Sequence, residues 1–239
     1  MDLQTNEKKK YKKIPKCAEI AYILALILLP FGTMLITKAD FGVSVVVAPA
    51  YICSLKFEFL TFGRAEYMIQ GLLLIVFCFV MKKVRWQWLF SFVTALLYGM
   101  SLDLFLFMFK HFTPDVLWQR MLCFAIGLVI AAFGIAFFLK AYFPPEVYEL
   151  FVKGISDKYQ FDFSKVKIVY DISSLTISLI LSFLFFKTLK GIGIGTIISA
   201  FCNGILIGFA TKVIERFMVF DAWIKPLGRF FKNSLGGVK

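Results

Sequence analysis

Residues 8–37, KKKYKKIPKCAEIAYILALILLPFGTMLIT, decide the fold class of this chain. A run of lysines is followed at once by an apolar stretch nearly as long as the ~20 residues that a helix needs to cross a bilayer. The apolar part of a cleavable signal is shorter, and no small-residue cleavage site follows here. The stretch is therefore predicted to be a first transmembrane helix, with residues 1–16 as a basic cytoplasmic tail.

The composition of the whole chain agrees with a membrane location. Of its 239 residues, 60% are hydrophobic and 18% are charged, whereas soluble domains are about 45–50% apolar and about 25% charged. A soluble fold could not bury so much apolar surface. The net charge of +12 would suggest nucleic acid in a soluble protein, but membrane orientation explains it here. The lipid bilayer is the expected partner, and nucleic acid is not.

Apolar stretches that are long enough, or nearly so, to span a membrane cover 17–37, 66–81, 88–109, 118–142, 166–186 and 195–215. A further stretch, 41–55, is short and contains Pro49. Lys and Arg accumulate on the cytoplasmic side of membrane proteins, and here they do so only if 41–55 is not counted as a span. We therefore predict a multi-pass protein with six spans and both termini cytoplasmic. The stretch 41–55 is predicted to be re-entrant or interfacial, on the outer side.

The tail at 216–239 is predicted to form an amphipathic helix at the cytoplasmic membrane interface. Its apolar residues recur at helical spacing and its basic residues lie off that face, as in helices that rest on anionic lipid. Pro226 could break this helix in two. The apolar face contains Phe220, Trp223, Ile224, Leu227, Phe230 and Phe231.

The chain repeats its own order of elements. In each half a long span is followed by a proline-bearing segment, a polar turn and two more spans. Three spans are an odd number, so the second half must enter the membrane from the opposite face, as in many secondary transporters. The predicted fold is an all-α integral membrane protein of two inverted three-helix repeats, 17–109 and 118–215, each with an interrupted re-entrant or interfacial segment. The repeated motif is Phe31-Gly32 with Lys38-Ala39, which returns as Phe133-Gly134 with Lys140-Ala141.

Polar side chains inside the predicted spans are candidates for binding, because charges there are costly and commonly mark function. Asp171 has Ser174 and Ser178 on the same helical face. This stripe can line a wet cavity or simply pack helices, and Asp171 can bind a ligand or form a structural ion pair with Lys167 or Lys212. The predicted substrate- or ion-binding residues are Asp171, Lys167, Ser174, Ser178, Asn203, Lys212 and Asp103.

Small residues recur along the sixth predicted span, at a spacing that lets helix backbones approach closely. This pattern favours tight packing within the chain over a dimer seam. The small residues are Gly191, Gly195, Ser199, Gly204 and Gly208.

No motif in the chain predicts an enzyme. The single histidine, His111, falls in a predicted loop, so a histidine-ligated metal cluster is not expected. The five cysteines are far apart, and no phosphate loop or nucleophile motif occurs. No catalytic residue, metal site or cofactor is predicted.

Two stretches carry a resemblance to a known family: residues 165–171, KVKIVYD, and residues 191–200, GIGIGTIISA. With 41–44, FGVS, ahead of Ala48-Pro49, they resemble the bacterial YczE/YyaS/YitT-like integral membrane proteins. The resemblance implies that Lys167 and Asp171 take the basic and acidic places at the entry to the fifth span. It also implies that Gly193 to Thr196 form a glycine-rich turn and that the protein lies in the bacterial cytoplasmic (inner) membrane.

Two classes of function stay open from the sequence. The first is a transporter or permease, with an unknown small molecule or ion bound between the inverted halves. The alternative is a non-transporting accessory protein or substrate-capture subunit that acts through a partner. That partner could be a second copy of the chain, in a homodimer, or another membrane protein.

Overall fold

The computed structural model describes residues 18–232, so the predicted basic tail at 1–16, Cys17 and residues 233–239 lie outside the described residues. Within 18–232 the chain is helical, and six of its helices are long and apolar enough to cross a membrane. The predicted all-α membrane fold is thereby confirmed. The six are α1 (Ala18–Ala39), α3 (Phe62–Met81), α4 (Trp86–Met108), α5 (Leu117–Lys140), α7 (Phe163–Phe186) and α8 (Ile194–Phe217); the shorter helices are α2 (Ala48–Lys56), α6 (Val147–Tyr159) and α9 (Lys225–Lys232).

The second span is longer than the sequence predicts. Helix α3 begins at Phe62 because the Thr61 side chain accepts a hydrogen bond from the backbone N–H of Arg64, which caps the helix. Glu66, where the predicted span starts, therefore lies inside the helix and is fully buried.

The centre of the fold is the crossing of α1 and α5. Gly32 of α1 faces Gly127 and Ala131 of α5, and a Cβ on Gly32 would lie only 2.6 Å from the Ala131 nitrogen. Small residues at a crossing let two backbones approach this closely. Helix α4 packs against α1 and α3, and α8 packs against α5, whereas α7 packs against the short helices α2 and α6.

The two short helices α2 and α6 begin inside the bundle. Ser174, near the middle of α7, donates to the carbonyl of Val45 just ahead of α2. Thr94, near the middle of α4, donates to the carbonyl of Pro144 just ahead of α6. The segments ahead of α2 and α6 thus return into the bundle, and each short helix then packs between α3 and α7.

Pro49 does not interrupt the stretch at 41–55. It lies in the first turn of α2, where proline is favoured because its missing N–H would have no helical partner. Residues ahead of α2 are irregular, and the helix follows them.

The small residues around α8 pack closely only at its N-terminal end. A Cβ on Gly195 would collide with Phe41, whereas Gly204 and Gly208 have no neighbouring atom within 4 Å. The predicted close packing therefore holds for the first part of the stripe and is wrong for the second. Helices α7 and α8 also share few contacts, unlike α3 and α4.

The predicted amphipathic helix of the tail begins later than expected. Within the described residues it covers Lys225–Lys232, and Pro226 lies in its first turn and does not divide it. Glu19 at the start of α1 accepts hydrogen bonds from the backbone N–H groups of Trp223 and Ile224, which ties the tail to the bundle. Phe231 is buried, packed against Phe143.

Candidate functional site

Two acidic side chains are buried where α3 meets the start of α6. Glu66 of α3 is 0% exposed and Glu146, the residue that caps α6, is 3% exposed. The Gln70 amide nitrogen lies 2.9 Å from Glu146 Oε2 and 3.4 Å from Glu66 Oε1, so one amide group bridges both carboxyls. We call these three residues the carboxyl pair and its bridge.

One oxygen on each carboxyl has no partner within hydrogen-bond distance. These atoms are Glu66 Oε2 and Glu146 Oε1, and both are buried, as is the Tyr148 hydroxyl, which also lacks a partner at that distance. Tyr148 interacts with Glu66, so its phenol is a donor available to that carboxyl. A buried polar atom without a partner costs free energy, about 1–3 kcal/mol and more if it is charged. Buried groups of this kind are retained in proteins chiefly where they bind or react.

The start of α6 fixes the orientation of the bridge. The backbone N–H of Val147 donates to Gln70 Oε1 over 3.0 Å, so the amide oxygen is occupied and its NH₂ group must face the carboxyls. The Pro144 carbonyl is held in turn by Thr94. The positive end of the α6 dipole also points at Glu146, which favours negative charge there.

Aromatic side chains surround the carboxyl pair. Tyr98 of α4 is buried and donates to Thr33 of α1 over 3.0 Å. The Tyr148 and Tyr170 rings lie 6.1 Å apart, between α6 and α7. Burial, and then the charge of Glu66, raises the pKa of Tyr148 well above its ordinary value, so this phenol stays protonated.

The charge balance beside α6 is acidic. Burial, and then the charges of Glu149 and Glu66, raise the pKa of Glu146 well above its ordinary value. Burial raises the pKa of Glu149 as well, while the neighbouring Lys167 lowers it. Both carboxyls therefore hold a proton more tightly than an exposed glutamate does.

Lys167 and Asp171, both predicted site residues, form an ion pair within α7. Lys167 Nζ lies 2.8 Å from Asp171 Oδ1, and the two side chains are 31% and 23% exposed. Of the two predicted partners for Asp171, the structure thus selects Lys167. Lys212 is exposed on α8, and among the described residues it forms no ion pair with Asp171. The charge of Glu149 interacts with Glu146 and also with Lys167 and Asp171.

Helices α3 and α7 start in the same way. Thr61 Oγ1 accepts from the N–H of Arg64 ahead of α3, and Asp162 Oδ1 accepts from the N–H of Lys165 ahead of α7. Counted from these caps, Glu66 and Gln70 occupy the same places in α3 as Lys167 and Asp171 do in α7.

Two further predicted residues hold the chain ahead of α2. Ser174 donates to the Val45 carbonyl over 2.8 Å, and the amide nitrogen of Asn203 in α8 lies 3.4 Å from the Ser44 hydroxyl. Ser178 donates to the carbonyl of Ser174, one turn earlier in its own helix, over 2.8 Å. Ser174 and Asn203 therefore join α7 and α8 to this segment, and Ser178 makes a contact within α7.

Asp103 caps α3 from α4. Its carboxylate accepts hydrogen bonds from the Thr61 hydroxyl and, over 2.7 Å, from the Gly63 N–H. These contacts are those of a carboxylate at a helix N-terminus. The structure does not bring Asp103 together with Asp171.

Two comparisons with known proteins match this chain. Residues 17–212 match a family described as "Family of unknown function (DUF6198)". The chain belongs to this family. It is also 30% identical over 200 residues to the "Uncharacterized protein YyaS" of Bacillus subtilis (strain 168), an alignment that covers 82% of this chain and 92% of that protein. The predicted resemblance to YyaS-like membrane proteins is thereby confirmed. No solved structure matches the chain.

Sequence reasoning missed the carboxyl pair and its bridge. A signal for Glu66 exists, since it is an acidic residue at the edge of an apolar span, where charge is costly. Glu146 has a weaker signal, the preceding Pro144-Pro145, which marks the end of a helix. Gln70 and Glu146 are 76 residues apart in the sequence, and only the folded chain brings them together.

A cavity of about 540 Å³ lies on the other side of the bundle, between the loop ahead of α2 and the loop ahead of α8. Thr37, Tyr51 and Lys190 are among its lining residues. Like the carboxyl pair, it lies where an irregular segment meets the start of a helix.

Proposed function

We propose that the protein is a small-solute or ion transporter of the bacterial inner membrane, with both termini cytoplasmic and its site between two inverted halves. One observation carries the proposal. Gln70 in the first half hydrogen-bonds Glu146 in the second, and each carboxyl around that amide keeps a buried oxygen without a partner. Paired buried acids between helices mark ion and proton pathways in membrane proteins.

The inverted-repeat part of the proposal rests on matched contacts. Asp40 beyond α1 pairs with Arg120 of α5 at 3.2 Å, and Glu19 of α1 accepts from Tyr142 beyond α5 over 2.7 Å. These two contacts hold opposite ends of the α1–α5 crossing. Each joins the start of one central helix to the segment after the end of the other, as an inverted repeat requires.

The short helices support a site in the middle of the bundle. In transporters built from inverted repeats, solutes bind where interrupted helices begin, because their N-terminal dipoles and free backbone groups face the cavity. Here α2 and α6 both begin beside the middles of long helices. The cavity of about 540 Å³ lies beside the segment ahead of α2, and this is where the solute is proposed to enter.

The proposed binding groups are Glu66 and Glu146, with the Lys167–Asp171 pair beside them. Ser174 and Asn203 would shape the segment ahead of α2, and Ser178 would support Ser174 from one turn further along α7. The proposed activity is not enzymatic and calls for no cofactor and no nucleic acid.

A second candidate function is favoured by one surface. Gly204 and Gly208 on α8 face open space, and the neighbouring Ile205 is 75% exposed. Small residues beside exposed apolar ones favour docking of another helix. This fits a non-transporting accessory or substrate-capture subunit, or a homodimer. Copurification of a stable partner that is lost in Gly208→Leu would support it.

A thermal-shift screen in nanodiscs tests the transporter proposal. Amino acids, vitamins, nucleosides and organic ions are added to the wild type, to Glu66→Gln and to Asp171→Asn. A solute at ~100 times its Kd stabilises the protein by ~2.7 kcal/mol, and this shift should disappear in both variants. A flat screen with all three proteins folded would refute solute binding.

A further inference from the structure

The carboxyl pair lacks the positive charge that two buried carboxylates need. Among residues 18–232 neither Glu66 nor Glu146 forms an ion pair, and Lys167 is engaged by Asp171 at 2.8 Å. Two negative charges on one neutral amide, away from water, would repel each other and lose their solvation. Something must neutralise at least one of them.

We propose that Glu66 and Glu146 hold one exchangeable proton between them, and that this proton is the ion coupled to solute movement. The first part, the shared proton, rests on geometry alone. The second part, its coupling to solute movement, rests on the proposed transport function. The unpartnered atoms Glu66 Oε2 and Glu146 Oε1 are the places where the proton binds.

The donor set favours a proton over a metal cation. A metal ion would need oxygen ligands around it, but the amide group between the carboxyls presents its NH₂ hydrogens to them. Its oxygen is occupied by the Val147 N–H, so the amide cannot turn to coordinate a cation. Two carboxyl groups sharing a site bind a single proton readily, because both cannot ionise at low cost.

The exposed end of this region lies at α7. Glu149 follows Glu146 by one helical turn, and its charge interacts with both Lys167 and Asp171. Asp171 is 23% exposed, whereas Glu66 is fully buried. On release, the O–H bond of the pair breaks, the carboxyl keeps the electron pair as a carboxylate, and the proton goes to water.

The groups that interact with the pair are acids and phenols. They are Tyr22 of α1, Tyr98 of α4, Tyr148 and Glu149 of α6, and Tyr170 of α7. Lys167 and Asp171 of α7 interact with Glu149. An ordinary phenol is neutral across the physiological pH range, so the acids and Lys167 set the local charge.

Infrared difference spectroscopy on the protein in nanodiscs tests the proton directly. A protonated carboxyl has a carbonyl stretch that disappears on ionisation. The wild type should retain this band at pH values well above the ordinary glutamate pKa of about 4.3 and lose it on further alkalinisation. Glu66→Gln and Glu146→Gln should each change or remove the titrating band, and Asp115→Asn, at an exposed acid, should leave it unchanged.

The outcomes separate the proton from transport. A wild type with no titrating band above the ordinary range overturns the proton pair, even if the glutamine variants fail to fold. A band that both glutamine variants keep unchanged overturns it too.

A titrating band with no solute response overturns transport and leaves the proton. If solutes bind, their affinity should change up to tenfold per pH unit across the titration; affinity independent of pH overturns the coupling alone.

Discussion

The side-chain amide of Gln70 donates a hydrogen bond to Glu146 over 2.9 Å, and this bond joins α3 to the start of α6. The same amide reaches Glu66 and accepts the Val147 N–H. Three polar groups, the two carboxyls and the Val147 N–H, therefore depend on one neutral side chain. The arrangement combines a stable helix junction with two carboxyl oxygens that have no partner.

Replacing the bridge should destabilise the protein. Gln70→Leu leaves Val147 N–H and two carboxyl oxygens unpaired in the interior, and each such group costs about 1–3 kcal/mol. We expect a loss of about 3 kcal/mol, measured as a lower melting temperature in nanodiscs. Gln119→Leu, at a half-buried position on α5, is the matched control and should melt near the wild type. Equal melting of Gln70→Leu and the control would show that the bridge is unimportant.

Stability should fall as pH rises because of Glu146. Its pKa is raised in the folded protein, so the folded state binds more protons than the unfolded state between the ordinary pKa of 4.5 and the raised value. The contribution of Glu146 to the free energy of unfolding is then fully present below pH 4.5, and this contribution is lost as pH rises through that window. The melting temperature, followed against pH, should decline less steeply in Glu146→Gln. Glu58→Gln, at an exposed acid, should keep the wild-type slope; an unchanged slope in Glu146→Gln would contradict the assignment.

The α1–α5 crossing should tolerate no added side chain. In Gly32→Ala the new Cβ would lie 2.6 Å from the Ala131 nitrogen, so the two helices must separate. Overpacking of this kind costs about 1–3 kcal/mol. Gly208→Ala adds the same atom where nothing lies within 4 Å, so its melting temperature should match or exceed that of the wild type. If both variants melt alike, the close approach of α1 and α5 is wrong.

Asp103 should contribute to stability and not to binding. Asp103→Asn weakens the hydrogen bonds from Gly63 and Thr61, which we expect to cost about 1–2 kcal/mol. Any solute that stabilises the wild type should still raise the melting temperature of this variant. Asp115→Asn serves as the control for loss of one acid. A variant that melts normally but no longer responds to the solute would place Asp103 in the site.

The sequence predicts the spans well because a bilayer selects long apolar helices whatever their tertiary contacts. It predicts the Lys167–Asp171 pair for a similar reason, since residues four apart on a helix are neighbours. An interrupted segment in the second half is predicted, but the helix α6 and the carboxyl pair are not. The chain gives no local reason for Glu66 and Glu146 to share the Gln70 amide, because this arrangement depends on the start of α6 lying inside the bundle. The open face at Gly204 and Gly208 shows the same limit, since spacing predicts close packing but does not supply a neighbour.

Proton movement driven by solute tests the central claim most directly. Proteoliposomes loaded with a pH-sensitive dye are challenged with each amino acid, vitamin, nucleoside and organic ion of the thermal-shift panel. At least one solute should change the internal pH in wild-type vesicles, and the change should be lost in Glu146→Gln and kept in Asp115→Asn. A solute-driven pH change of the same size in Glu146→Gln would show that transport does not pass through the carboxyl pair, and no pH change with any solute would contradict proton-coupled transport.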